Sequence, residues 1–152
     1  YVDVCIANEE DAKDVFGIAA TDTDLNTGKL SHEGYISVAK QLTERFGCKK
    51  VAITLRGSIS ASDNDWAGML YSDGKASFSP TYRVHIVDRV GGGDAFASGL
   101  IYAMLHDYKA MDMINFAVAS SAIKHTIHGD ANITDDVSTI RNLMNMNYDI
   151  KR

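Results

Sequence analysis

The residues best placed to do chemistry are Gly91, Gly92, Gly93 and Asp94, with a second acid, Asp88, just ahead of them. Consecutive glycines remove every Cβ from the turn and let its backbone adopt φ values that other residues avoid. An apolar, strand-like run from Val84 to Val87 leads into the turn, and an almost wholly apolar stretch of helical length follows Asp94. Such a turn leaves N–H groups uncovered where the helix dipole is positive, which makes an anion site. A carboxylate inside an anion site suits phosphoryl transfer: the donors hold the migrating phosphate, and the carboxylate takes a proton from the attacking hydroxyl. Taken alone, the triplet reads more simply as a tight turn followed by a capping Asp.

The elements that must position these residues follow from the pattern of the chain. Val2 to Ala7 reads as a buried strand. Asn8 then caps a helix that opens on Glu9, Glu10 and Asp11 and runs to Gly17. Acids at the carboxyl end of a strand can also influence a bound metal ion. A polar loop over 21–31 precedes a helix from His32 to Phe46, with Ile36, Ala39, Leu42, Thr43 and Phe46 on one face and Gly47 as its stop. Val51 to Leu55 is the next buried strand, so strand, helix and strand form a βαβ unit with parallel strands. Arg56 to Asp65 reads as a solvated loop beyond that strand's carboxyl end, where ligands bind in open parallel sheets.

Trp66 to Tyr71 and Ala76 to Ser79 form a hairpin around Asp73-Gly74, and Tyr82 to Val87 leads to the glycine turn. Beyond the central helix, Met111 to His128 reads as a second long helix, stopped by Gly129. Ile114, Ala117, Val118, Ser121, Ala122 and His125 share one of its faces. Its small residues, Ala119 to Ala122, admit close approach by a packed helix. His125 and His128 fit the preference of helix C-termini for histidine. A last helix is expected from about Asp135 to Met146.

Composition narrows the function classes. The chain has 152 residues, one domain's worth, with 45% hydrophobic and 23% charged residues, ordinary for a soluble globular protein. A net charge of −5 argues against a nucleic-acid partner but not against a small anionic ligand. No apolar run approaches membrane-span length and no signal peptide opens the chain, so no membrane partner is expected. Cys5 and Cys48 fit neither a CxxC nor a zinc spacing, which points to a reducing, cytoplasmic setting. There is no P-loop, no H-E-x-x-H and no G-x-S-x-G, and Phe96 stands where a dinucleotide fingerprint needs glycine. The chain begins on a strand-like run without an initiator Met, which reads as a fragment or a processed product.

Asp88, Gly91, Gly92, Gly93, Asp94, Phe96 and Gly99 together resemble the second signature of the PfkB (ribokinase-like) carbohydrate kinases. Arg89 departs from the small or hydroxyl residue usual after the first Asp. Asp-Arg-Val-Gly is nevertheless how the turn looks in the 2-keto-3-deoxygluconate kinase branch. Lys124 to Asn132, Lys-His-Thr-Ile-His-Gly-Asp-Ala-Asn, is similar to a segment of the same branch, with His128 in place of Pro.

The resemblance implies an α/β fold with a mostly parallel open sheet and helices on both faces, here incomplete. Residues 1–152 would be the carboxyl-terminal part of one ribokinase-like domain, lacking the amino-terminal half and lid. It implies transfer of the ATP γ-phosphate to the terminal hydroxyl of 2-keto-3-deoxygluconate. Asp94 would be the base and a substrate contact, Gly91, Gly92 and Gly93 the anion hole, and Asp130 a second contact to the sugar acid. Asn8, Thr54, Leu55, Arg56, Gly57, Ser58 and Ala122 would lie near ATP, with Arg56 where the family commonly has Gly. Glu10 or Asp11 would act indirectly on Mg2+, Asp11 replacing the final Glu of the family's Asn-x-x-Glu motif. Partners would be the sugar acid, ATP, and either further copies of the chain or its missing half. The alternatives are an inactive nucleotide-binding fragment and a PfkB kinase for another sugar, such as fructose or ribose, or for a nucleoside.

Overall fold

The computed structural model describes residues 1–18, 32–134 and 136–146; the side chains of Glu9, Glu10, Ala12 and Phe16 lie outside that description. The expected loop over 21–31 and Asp135 also fall outside it. The elements in chain order are β1 (Val4–Ala7), α1 (Glu9–Phe16), α2 (His32–Phe46), β2 (Lys50–Ser58), β3 (Asp63–Ser72), β4 (Lys75–Phe78), β5 (Tyr82–His85), α3 (Gly92–Leu105), α4 (Ala110–Lys124) and α5 (Val137–Asn145).

The five strands form one sheet, ordered β1-β2-β3-β4, with β5 also paired to β3. β3 serves two partners because it is long: Asp63 to Trp66 pair with β5, and Met69 to Ser72 pair with β4. β1 and β2 are parallel, as the βαβ spacing predicts. The other three pairings are antiparallel, so the described sheet is mixed rather than mostly parallel. The reason is connection length. Only residues 59–62 separate β2 from β3, and a link that short can join only antiparallel neighbours. For the same reason Arg56 to Asp65 is not one long loop: β2 runs on to Ser58 and β3 starts at Asp63, with Arg56 opposite Trp66 and Ser58 opposite Asn64. The β3–β4 hairpin turns on Asp73 and Gly74, both at positive φ (52° and 74°), the geometry that matches strand twist.

Helices cover both faces of the sheet, and strand alternation decides which residue meets which layer. Val51, Ile53, Leu55, Ala67 and Met69 pack with Tyr35, Val38, Ala39 and Leu42 of α2. Ala52, Leu70, Tyr82 and Val84 pack with α3, α4 and α5 through Phe96, Leu100, Ile114, Phe116, Val118 and Ile140. The buried stripe of α2 is therefore rotated from the expected one: Tyr35 and Val38 are buried, while Phe46 is exposed. α3 and α4 cross closely at Gly99, where a Cβ would lie 3.0 Å from Ser120 Cβ and 3.1 Å from Ala117 Cα. α4 ends at Lys124, four residues before the expected limit; His125 caps it, its N–H still donating to the Ser121 carbonyl at 3.1 Å, and His128 lies beyond the helix.

Candidate active site

The glycine turn lies where the strand ends of the sheet meet the start of α3. Gly91 is the N-cap of α3 at φ 79°, and no side chain caps the helix. A Cβ at Gly91 would lie 1.9 Å from the Asp130 carbonyl oxygen, so only glycine fits both the backbone conformation and the contact. Gly92 is buried against the His125 ring, 2.6 Å from where its Cβ would be, and its N–H donates to the Arg89 carbonyl at 3.3 Å. Gly93 has nothing within 4 Å of an added Cβ and is exposed. The open donors are thus those at the Gly93–Asp94 end of the turn. Asp94 is exposed in the first helical turn, and among the described residues nothing hydrogen-bonds its carboxylate. Its carbonyl accepts from Ser98 Oγ at 2.6 Å.

Asp88 does not face the open end of the turn. Its Oδ1 accepts from Val90 N–H and its Oδ2 from Gly129 N–H, both at 3.0 Å. These two bonds hold its carboxyl below the ordinary carboxylate range. Asp88 therefore ties the turn to the segment carrying Asp130, and the main chain repeats the tie: Val87 and Asp88 N–H both donate to the His125 carbonyl, at 2.8 and 3.2 Å. Asp94 and Asp130 flank the same turn, and both are exposed.

Beside the turn is a cleft of about 360 Å³ lined by Asn8, Thr54, Arg56, Ser58, Trp66, Arg89, Gly93 and His125. Thr54, Arg56 and Ser58 reach it because they alternate along β2. Leu55 cannot, being buried in the α2 layer, and Gly57 sits against Asp65 across the ladder. Ala122 is buried among α3, α4 and α5 and does not line the cleft. Asn8 Oδ1 accepts from Asp11 N–H at 2.8 Å, and Asp11 Oδ2 accepts from Asn8 N–H at 2.9 Å, a reciprocal cap on α1. The Asp11 carboxylate is therefore engaged locally, and the Glu10 side chain lies outside the described residues.

Sequence reasoning missed three contributors. Trp66 reaches the cleft as the partner of Arg56 across the ladder; its indole N–H is buried with no acceptor among the described residues. His125 is buried against Trp66, with ring centroids 4.6 Å apart. Its Nδ1 lies 2.7 Å from the Ser121 carbonyl oxygen, which can only accept, so Nδ1 carries the proton and Nε2 is left as the acceptor. Burial pushes its pKa down, against the raising effect of that bond. Asn64, wholly buried, is the third: with its amide oriented so that the oxygen faces Arg89, it donates to the Asp63 carbonyl and accepts from Arg89 Nη1, each at 2.9 Å. Arg89 also donates to the Ala61 carbonyl at 2.9 Å. The residue that departs from the usual signature thus bolts the turn to the β2–β3 hairpin. Strand alternation from Thr54 would have revealed Trp66; nothing local signals Asn64.

Fold and cleft together make an α/β domain in which an uncapped glycine turn opens a helix beside a polar cleft. Residues 1–136 match the pfkB family of carbohydrate kinases, and the chain belongs to that family. It is similar to the solved 2-dehydro-3-deoxygluconokinase of Thermotoga maritima: 43% identity, TM-score 0.87, covering 95% of this chain and 42% of that one. A PfkB family carbohydrate kinase from Listeria grayi aligns at 32% identity and TM-score 0.77, over 94% of this chain and 41% of that one. The 5-dehydro-2-deoxygluconokinase of Clostridium beijerinckii is 33% identical over 73 residues, 48% of this chain and 22% of that protein. The chain thus spans less than half the length of each of these relatives.

Proposed function

We propose that the protein carrying this chain is an ATP-dependent sugar-acid kinase that phosphorylates the terminal hydroxyl of 2-keto-3-deoxygluconate, also called 2-dehydro-3-deoxygluconate. One observation carries the reading: an uncapped glycine turn places the open carboxylate of Asp94 at the N-terminus of a buried helix, beside a cleft lined by Arg56 and Arg89. Mg-ATP would supply the phosphoryl group and neutralise part of its charge. The residues fit such a ligand. Uncapped N–H groups and the exposed guanidinium of Arg56 suit phosphates. The described residues hold no cluster of three or more His, Cys, Asp or Glu side chains able to hold a metal ion.

In this reading Asp94 accepts the proton of the attacking hydroxyl late, when that oxygen is already bonding to phosphorus. The N–H groups of Gly93 and Asp94 stabilise charge on the migrating group. Asp130 orients the sugar acid from the far side of the turn. Asp94→Asn in the full protein should lower kcat by about 10²- to 10⁴-fold and leave ATP affinity largely intact. Retained turnover would remove Asp94 as the base.

A second substrate has its own support, since the curated relative from Clostridium beijerinckii is a 5-dehydro-2-deoxygluconokinase. The identity to the Thermotoga protein is higher and covers nearly the whole chain, so 2-keto-3-deoxygluconate is preferred.

A further inference from the structure

Lys124 is wholly buried, with none of its surface exposed. Among the described residues no carboxylate forms an ion pair with it. Its Nζ donates to the Ile127 carbonyl at 3.2 Å and to the Asp88 carbonyl at 3.5 Å. Both distances exceed those of a strong charge-assisted bond, and the Asp88 carboxylate acts on the ammonium only from beyond ion-pair distance. Burying an ammonium is costly unless it is paired and hydrogen-bonded. Its position gives the burial a purpose: Lys124 Cε lies 3.2 Å from where a Cβ on Gly91 would stand, directly beneath the anion turn.

We infer that Lys124 is a positioning residue for phosphoryl transfer. Its ammonium draws the carbonyls of Asp88 and Ile127 together under Gly91, and it presents a fixed positive charge to an anion held on the turn. Arg56 and Arg89 are exposed and screened by water; Lys124 acts from the dry side, where a charge is felt more strongly. The inference rests on the phosphoryl-transfer reading of the turn, but anion affinity tests it independently of turnover.

The experiment compares the full protein with Lys124→Met and Lys124→Ala, measuring inorganic phosphate affinity by calorimetry alongside kcat and KM. Lys124→Met should weaken phosphate binding roughly tenfold and lower kcat by at least as much, with KM for the sugar acid little changed. Added methylammonium should restore phosphate affinity to Lys124→Ala by refilling the carbonyl-lined site. Phosphate affinity within twofold of the parent in Lys124→Met would overturn the inference, as would a folded variant that loses turnover alone. If neither variant folds, 15N-lysine labelling of the unmodified protein decides. The slowly exchanging Nζ signal of the buried lysine should shift on phosphate binding, and an unmoved signal would overturn the role.

Discussion

Single side chains at the cleft divide into those that hold the turn and those left open to a ligand. Asp88, Arg89 and Asn64 are engaged with backbone or with one another. Asp94 and Asp130 have no such engagement among the described residues and are exposed. His125 belongs to the wall, and its titration has a defined consequence for stability. Its folded pKa lies below the ordinary 6.5, so the unfolded chain binds the proton first. Stability should be fully present above about pH 6.5 and should fall as pH drops through that value toward the folded pKa. Denaturant unfolding from pH 7.5 to 5.5 checks this, and His125→Gln should flatten the slope in that window. An unchanged slope would mean that His125 is as easily protonated folded as unfolded.

At the scale of elements, the site is a junction of the β2–β3 hairpin, the start of α3 and the turn after α4. Gly91 is where they meet most tightly. Gly91→Ala should destabilise the protein by about 2 kcal/mol or more, since it adds a Cβ at φ 79° and drives it into the Asp130 carbonyl. Thermal unfolding would show it; a change below about 0.5 kcal/mol would mean that the Asp130 segment yields freely. Much of this junction was legible in the chain. Glycines at 91–93 before an apolar run announce a turn opening a buried helix, and Asp73-Gly74 announces a hairpin. What misled was polarity. Arg56, Ser58 and Asp63 look like loop residues, yet they lie on strands, because one face of this end of the sheet borders an open cleft instead of a helix. The end of α4 was misplaced for a different reason. Lys124 and His125 are polar residues that the fold buries beneath the turn, and only tertiary contacts reveal that.

At the scale of the whole molecule, helices pack on both sheet faces, and among the described residues the β1 margin of the sheet is unpaired. Among the described residues β1 pairs only with β2, and Ile6 on that strand is exposed. Nearby, Tyr1, Val2, Cys5, Leu42, Phe46 and Cys48 line an apolar cleft of about 260 Å³. An unpaired strand edge next to apolar surface invites association. The 152-residue chain should therefore self-associate in sedimentation velocity as concentration rises, and Ile6→Lys should shift it toward monomer. A monomer at every concentration would show that this margin is not adhesive. The matched solved kinases are more than twice as long as this chain, so catalysis has to be tested in the full protein. The most direct measurement is ADP formation by that protein with Mg-ATP and, in parallel, 2-keto-3-deoxygluconate, 5-dehydro-2-deoxygluconate, fructose and ribose. The account predicts the highest kcat/KM with 2-keto-3-deoxygluconate, and a product phosphorylated on the terminal hydroxyl. Preference for a neutral sugar, or no ADP formed with any of the four, would contradict it.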